Sequence, residues 1–346
     1  STISETIFDM TNDILRDDTW DHKTLHSPLQ AELDKPKSEN KNIPFGKARR
    51  LFVTVPYHPA SADGYIDDII SVALAASDWV ARAQNAALLA IHTVFRPRDP
   101  RDPLPREDTT SIRKLRGEGT PDERKIVLGW LVDTRKFRVY LPRPKALDWL
   151  QQIDEITKAG KTNTKTLESM IGKLNHIGYI MPQGRYFLNR LRHLLKKTKK
   201  YGQQTLDTSS RDDLQLWQTF INTVSSKGID INNITFSEPT SVCFSDACEH
   251  GMGGYNENGL AWRFEIPQEH IGKFSINLLE FIAAVIRIEL TLNHGKNNQK
   301  ILAFTDSSSA LGWLFKASFP TSMPHHDTTA RYLAASLIRR GSSLYS

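Results

Sequence analysis

The chain has 346 residues, 39% of them hydrophobic and 24% charged, which is ordinary globular composition and long enough for about two domains. A formal charge of +6 is a mild basic bias, compatible with a polyanionic partner without specifying one. Cys243 and Cys248 are too few for a disulfide framework or a zinc site, and no stretch approaches the ~18 apolar residues of a membrane span, so the composition points to an intracellular chain, cytoplasmic or nuclear, with no membrane partner.

An amphipathic helix opens the chain over Ser4 to Leu15, with Ile3, Ile7, Met10 and Ile14 at helical spacing. A polar stretch, Lys35 to Asn42, leads to a strand over Arg50 to Pro56. Then comes Asp63-Gly64-Tyr65-Ile66-Asp67-Asp68, in which paired acids sit between apolar strand segments of a hairpin. Side chains alternate along a strand, so the two carboxylates point to different faces. One left unpaired in an apolar setting is costly unless it is hydrogen-bonded or binds a cation. The plain alternative is a solvated turn with Asp at its tip. An alanine-rich helix is expected over Ser71 to Phe95 and a loop over Arg96 to Glu107. Lys125 to Leu141 reads as two strands around a turn at Asp133 to Lys136.

Pro142 to Asp207 reads as basic helices, with Leu167, Met170, Ile171, Leu174 and Ile177 on one apolar face and Leu188, Leu191, Leu194 and Leu195 on another. No acid occurs between Ser169 and Leu206, whereas Lys173, Arg185, Arg190, Arg192, Lys196, Lys197, Lys199 and Lys200 all fall there. A charge run of one sign is commonly a solvated face, but interleaved with Asn175, His176, Asn189 and His193 it suits a phosphate backbone. From Ser237 onwards the expected order is strand, strand, strand, helix, strand, helix. Three acids stand out there: Asp246 at a strand end, Glu280 in a helix, and Asp306 at another strand end. Converging, they could hold a pair of divalent ions that clamp the attacking and leaving oxygens of a phosphoryl transfer. Each also has a bland reading: Asp246 as the cap of a turn, Glu280 as a polar helix face, Asp306 as the cap of a helix over Ser307 to Leu314. Glu280 argues against that set, because it interrupts the apolar stripe of Ile276, Phe281, Ala283 and Ala284.

Together, Tyr65 to Asp68, Lys125 to Trp130 with Asp133 to Lys136, Leu167 to Leu191 (LESMIGKLNHIGYIMPQGRYFLNRL), Phe244-Ser245-Asp246-Ala247 and Ile276 to Glu280 resemble the reverse transcriptase and ribonuclease H region of retrotransposon polyproteins, of the DIRS-like and gypsy-like kind. The resemblance implies an α+β architecture: a partial palm over 1–141, a thumb-like basic region over 142–207, a connection over 208–236, and a ribonuclease H-like domain over 237–346 that lacks its last helix. It implies a polymerase centre at Asp67 and Asp68 and a nuclease centre at Asp246, Glu280 and Asp306, all metal-binding and catalytic. It also implies nucleic-acid contacts at Tyr65, Lys114, Gly129, Trp130, Lys173, Arg185, Arg190 and Arg192, with Lys114 near the departing pyrophosphate. The implied ion is magnesium, with manganese as the alternative. The implied partners are template/primer nucleic acid, an RNA/DNA hybrid, deoxynucleoside triphosphates for the parent enzyme, and the rest of the polyprotein. Two family acids have no counterpart, the first palm Asp and the fourth ribonuclease H acid, so this chain alone is expected not to polymerise. Asp327, beside His325 and His326, reads as a loop acid rather than a substitute. Two other readings stand beside this one: a nucleic-acid-binding module without catalysis, and a decayed element.

Overall fold

The computed structural model describes residues 2–33, 58–66, 68–99, 101–104, 106–235, 238–316 and 324–345. The expected strand at Arg50 to Pro56, the polar stretch before it and Asp67 lie outside the described residues. The described residues fall into two compact units, one ending at Val127 and the other beginning at Leu128.

In the first unit, helix α1 (Thr2–Arg16) buries Ile7, Thr11 and Leu15, a stripe four residues apart, while Ile3 stays exposed. A short helix, α2, covers Gln30–Leu33. Strands β1 (Ala60–Tyr65) and β2 (Asp68–Ala73) form an antiparallel hairpin in which Tyr65 faces Asp68, and Ile66 takes a positive φ of 59° at the turn. The helix expected from Ser71 begins only at Trp79, as α3 (Trp79–Val94). Residues 71–73 are taken by the hairpin, and Ser77, at φ 53°, breaks the chain direction before the helix starts. Ala83, Ala86 and Ala90 then let α3 lie close against its neighbours. Helix α4 (Ile112–Glu118) and strand β3 (Arg124–Val127) complete the unit.

The second unit starts within the first of the two strands expected over Lys125 to Leu141. Leu128 and Gly129 adopt positive φ values of 48° and 82° and form a turn, after which β4 (Trp130–Asp133) pairs with β5 (Arg138–Tyr140). Helix α5 (Arg143–Ala159), strand β6 (Lys161–Thr162), helices α6 (Thr164–Ile177) and α7 (Asn189–Tyr201), strand β7 (Gln204–Thr205) and helix α8 (Thr208–Ser226) follow. Asn163 and Asp207 cap α6 and α8 by accepting the backbone N–H groups of Thr166 and Ser210. Strand β8 (Ile229–Asp230) returns to pair with β5.

A five-stranded sheet then forms in the order β11-β10-β9-β12-β13, built from β9 (Ser241–Cys248), β10 (Gly251–Asn256), β11 (Ala261–Glu265), β12 (Lys300–Phe304) and β13 (Ser343–Tyr345). The first three strands meander antiparallel, and β12 runs parallel to both β9 and β13. Helices α9 (Ile276–His294), α10 (Ser308–Lys316) and α11 (Pro324–Arg340) complete it. Asp327 lies in the first turn of α11 rather than in a loop.

One hydrophobic core runs from Leu141 through Trp149, Leu174, Leu191, Trp217 and Phe281 to Leu337. Trp217 and Phe281 are fully buried, and each such side chain contributes on the order of 1.5–3 kcal/mol. Polar groups tie the same parts together. Asp213 of α8, fully buried, takes a two-pronged ion pair from Arg331 of α11 at 2.6 and 3.1 Å, while Arg190 of α7 reaches Asp213 at 3.8 Å and Asp327 at 3.3 Å.

Candidate metal centre

Asp246, Glu280 and Asp306 come together, each offering a carboxylate oxygen within 4.8 Å of the others. Three separate elements deliver them. Asp246 is not at a strand end but inside β9, opposite Gly253 of β10, because the strand extends to Cys248. Glu280 lies one turn into α9, after Ser275 has capped that helix. Asp306 lies two residues beyond the end of β12, and β12 runs parallel to β9, so the chain leaves both strands in the same direction.

The bland alternatives fail on particulars. The β9–β10 turn lies beyond Cys248, so Asp246 does not cap it; its Oδ1 accepts the N–H of Ala247 at 2.8 Å. Glu280 is buried at 6% exposure and occupies no solvated helix face. Helix α10 is capped by Ser307, whose Oγ accepts the N–H of Ala310 at 3.2 Å, and Asp306 is left outside the cap.

Glu280 forms the floor of the cluster. Its Oε1 accepts the Ala247 N–H at 3.1 Å, and its Oε2 accepts the Thr305 hydroxyl at 3.5 Å. Burial raises its carboxyl to about pH 6, a rise that the Ala247 hydrogen bond opposes and that Asp246 and Asp306 add to. Asp246 and Asp306 are exposed, so the cluster opens to solvent on one side. Oxygen-only donors of like charge, one of them desolvated, fit a hard divalent cation such as Mg²⁺ or Mn²⁺ and do not suit a soft one. The Ala247 N–H and Thr305 hydroxyl were not anticipated from the sequence; nothing in a single Ala or Thr marks a residue that orients a neighbour.

Elsewhere the expected residues are placed as follows. In the first unit, Tyr65 is exposed at the end of β1, and Asp68 pairs with Lys114 of α4 at 2.9 Å, both partly exposed. The hairpin is held by Asn12 of α1, whose side chain accepts the N–H of Ala62 at 2.9 Å and donates to its carbonyl at 2.8 Å. In the second unit, Gly129 accepts from Lys145 Nζ at 3.2 Å, and Trp130 stacks on His176 with ring centres 4.3 Å apart. Arg185 lies over the exposed Tyr179 ring at 5.4 Å. Lys173 is paired with Asp148 at 2.9 Å, and Arg192 donates to Asn175 at 3.5 Å. Arg190 is committed to Asp213 and Asp327, so its guanidinium serves the protein's own acids. Asp213, unremarked in the sequence, had one signal: an acid directly before Leu214 and on the same helical face as Trp217.

The chain matches no protein-family model and no curated protein. Among solved structures it is similar to a foamy viral protease-reverse transcriptase dRH in complex with double-stranded DNA, at 13% identity over 82% of this chain and 45% of that one, with a TM-score of 0.34. It is also similar to foamy viral protease-reverse transcriptase in complex with an RNA/DNA hybrid, at 14% identity over 64% and 29% and a TM-score of 0.25. A further double-stranded DNA complex of that protein gives 15% identity over 64% and 44%, with a TM-score of 0.24. The chain thus spans less than half the length of each. Scores this low do not establish a shared fold, and the functional reading rests on the carboxylate geometry.

Proposed function

We propose that Asp246, Glu280 and Asp306 form a divalent-metal-dependent phosphodiester hydrolysis site acting on the RNA strand of an RNA/DNA hybrid, within the reverse transcriptase and ribonuclease H region of a retroelement. The observation that carries this reading is the convergence of three carboxylates from a strand, a helix and the loop after a parallel strand, with the helical one buried and its proton affinity raised. Magnesium or manganese bound by these three residues would supply charge neutralisation and an activated water.

The chain's own residues do the rest. Glu280, fixed by Ala247 and Thr305, gives the site an oriented, preformed acceptor that needs no rearrangement on binding. Asp246 and Asp306 occupy the open side, where a phosphodiester approaches. Because their charges repel a phosphate, the strand gains a place there only together with the cation. Choice of RNA over DNA would come from contacts to the 2′-hydroxyl. Helix α7, sharing a core with the sheet, offers Lys196, Lys197 and Lys200 to the duplex backbone, and the segment Pro182–Leu188 before it offers Arg185. We also carry the hairpin reading forward: Tyr65, Asp67 and Asp68 belong to a polymerase-type metal site of the longer protein, with deoxynucleoside triphosphates as its substrates.

The test is Asp246→Asn in a cleavage assay with a labelled RNA/DNA hybrid and Mg²⁺. Hybrid cleavage by the unaltered chain should fall at least ~100-fold in the variant, while hybrid affinity measured in Ca²⁺ stays within about twofold. Salt-dependent hybrid binding with no Mg²⁺-dependent cleavage by the unaltered chain would instead identify a binding module.

A further inference from the structure

Between helices α9 and α11 lies an open groove of about 410 Å³, on the nuclease-like part of the second unit. Its α9 wall is apolar, formed by Ile282, Val285, Ile286 and Leu290, and its α11 wall carries Thr328 and Thr329, with the exposed ring of Tyr332 at the rim. One acid, Glu289, interrupts the α9 wall at 8% exposure. Its Oε1 is shielded from water and accepts no hydrogen bond among the described residues. Ser336, Arg339 and Arg340 lie near enough to favour its charged form without satisfying that oxygen. Burial nonetheless pushes the carboxyl above its ordinary range. An acceptor buried without a donor is destabilising, and a charged one more so. Its retention in an otherwise apolar wall is the feature that asks for an occupant.

We propose that this groove binds a small organic ammonium: an apolar body against Ile282, Ile286 and Leu290, and a protonated amine donating to Glu289. The volume lies within the range of small-molecule sites, about 300–1,000 Å³, and the walls span only about two turns of α9, too short for a docked helix. Glu289 is the charged group among the described lining residues, and its charge selects a cation over a neutral or anionic ligand of the same shape. Binding includes a rotation of the Glu289 carboxyl, since water does not reach Oε1 in the ligand-free chain. The terminal torsion of a Glu side chain is broad, so the rotation meets little resistance. The site is separate from Asp246, Glu280 and Asp306, and stands whether or not that cluster is catalytic.

The experiment titrates the full chain with 4-phenylbutylamine, 4-phenylbutan-1-ol and 4-phenylbutyrate, following backbone amide resonances of α9 and α11. The amine should bind saturably at about 0.1–1 mM, and the alcohol and the acid at least ~10-fold more weakly. Glu289→Gln, which keeps the shape and removes the charge, should weaken amine binding by about tenfold or more and leave the alcohol unchanged. Equal affinity for amine and alcohol, amine affinity unchanged in Glu289→Gln, or no saturable shift up to about 10 mM amine would each overturn the assignment.

Discussion

Glu280→Gln removes the charge from the floor of the carboxylate cluster while keeping an oxygen to accept the Ala247 N–H. In the folded chain the Glu280 carboxyl titrates at about pH 6, against an ordinary 4.5. The folded state therefore holds that proton more tightly than the unfolded state does. Below pH 4.5 both states are protonated and Glu280 costs nothing; as pH rises through 6 the folded state must ionise it at a disadvantage. At about 1.4 kcal/mol per pH unit, the rise amounts to about 2 kcal/mol of stability lost by neutral pH. Comparing the two proteins cancels the titrating groups that do not interact with Glu280, leaving Glu280 with its neighbours Asp246 and Asp306. Urea unfolding in EDTA should therefore show Glu280→Gln gaining about 2 kcal/mol on the unaltered chain between about pH 4.5 and 7.5. Adding Mg²⁺ at neutral pH should then stabilise the unaltered chain, by about 2.7 kcal/mol at a hundred times its dissociation constant, and the variant distinctly less. A stability difference that stays flat with pH would refute the claim that burial among like charges strains this carboxylate.

Other expectations follow from the same contacts. Asp213→Asn leaves Arg331 without its buried counter-charge and should cost about 3–5 kcal/mol in the unfolding transition of the second unit; a loss under about 1 kcal/mol would show the ion pair to be dispensable. Asn12→Ala removes both hydrogen bonds that hold Ala62 and should cost about 1–3 kcal/mol, in the first unit only, as read by hydrogen exchange of the β1–β2 hairpin. Arg185→Ala should weaken hybrid binding and reduce its salt slope by about one, whereas Arg190→Ala should mainly lower stability, because its guanidinium is occupied by Asp213 and Asp327. Identical binding and stability profiles for the two variants would count against that division.

The sequence made the three acids legible because Asp246 and Asp306 each follow an apolar strand run while Glu280 falls within the apolar face of a helix. Glu280 in an apolar stripe was the strongest such signal, and its burial accounts for it. The hairpin turn at Ile66 and the meander of β9 to β11 were likewise visible as alternation bounded by turn residues. Boundaries were harder. Alternation of Ala with larger apolar residues after Asp68 suits a strand as well as a helix, and only the pairing of β2 with β1 decides it. Leu128-Gly129 hides a turn because Leu rarely takes positive φ. Charge along a sequence also says nothing about what a side chain meets. Arg190 and Lys173 belong to an acid-free run, yet their partners Asp327 and Asp148 lie outside it, brought up by folding. The continuous core from Leu141 to Leu337 was illegible for the same reason: helix faces can be read one at a time, but not which face meets which.

The central claim is that Asp246, Glu280 and Asp306 together hold divalent cations, and the most direct measurement is anomalous diffraction from crystals soaked in Mn²⁺. The account predicts an anomalous peak in contact with carboxylate oxygens of all three residues, at about 2.1–2.2 Å, that disappears in Asp246→Asn. Crystals saturated with Mn²⁺ that show no peak there, or place the ion elsewhere, would contradict it.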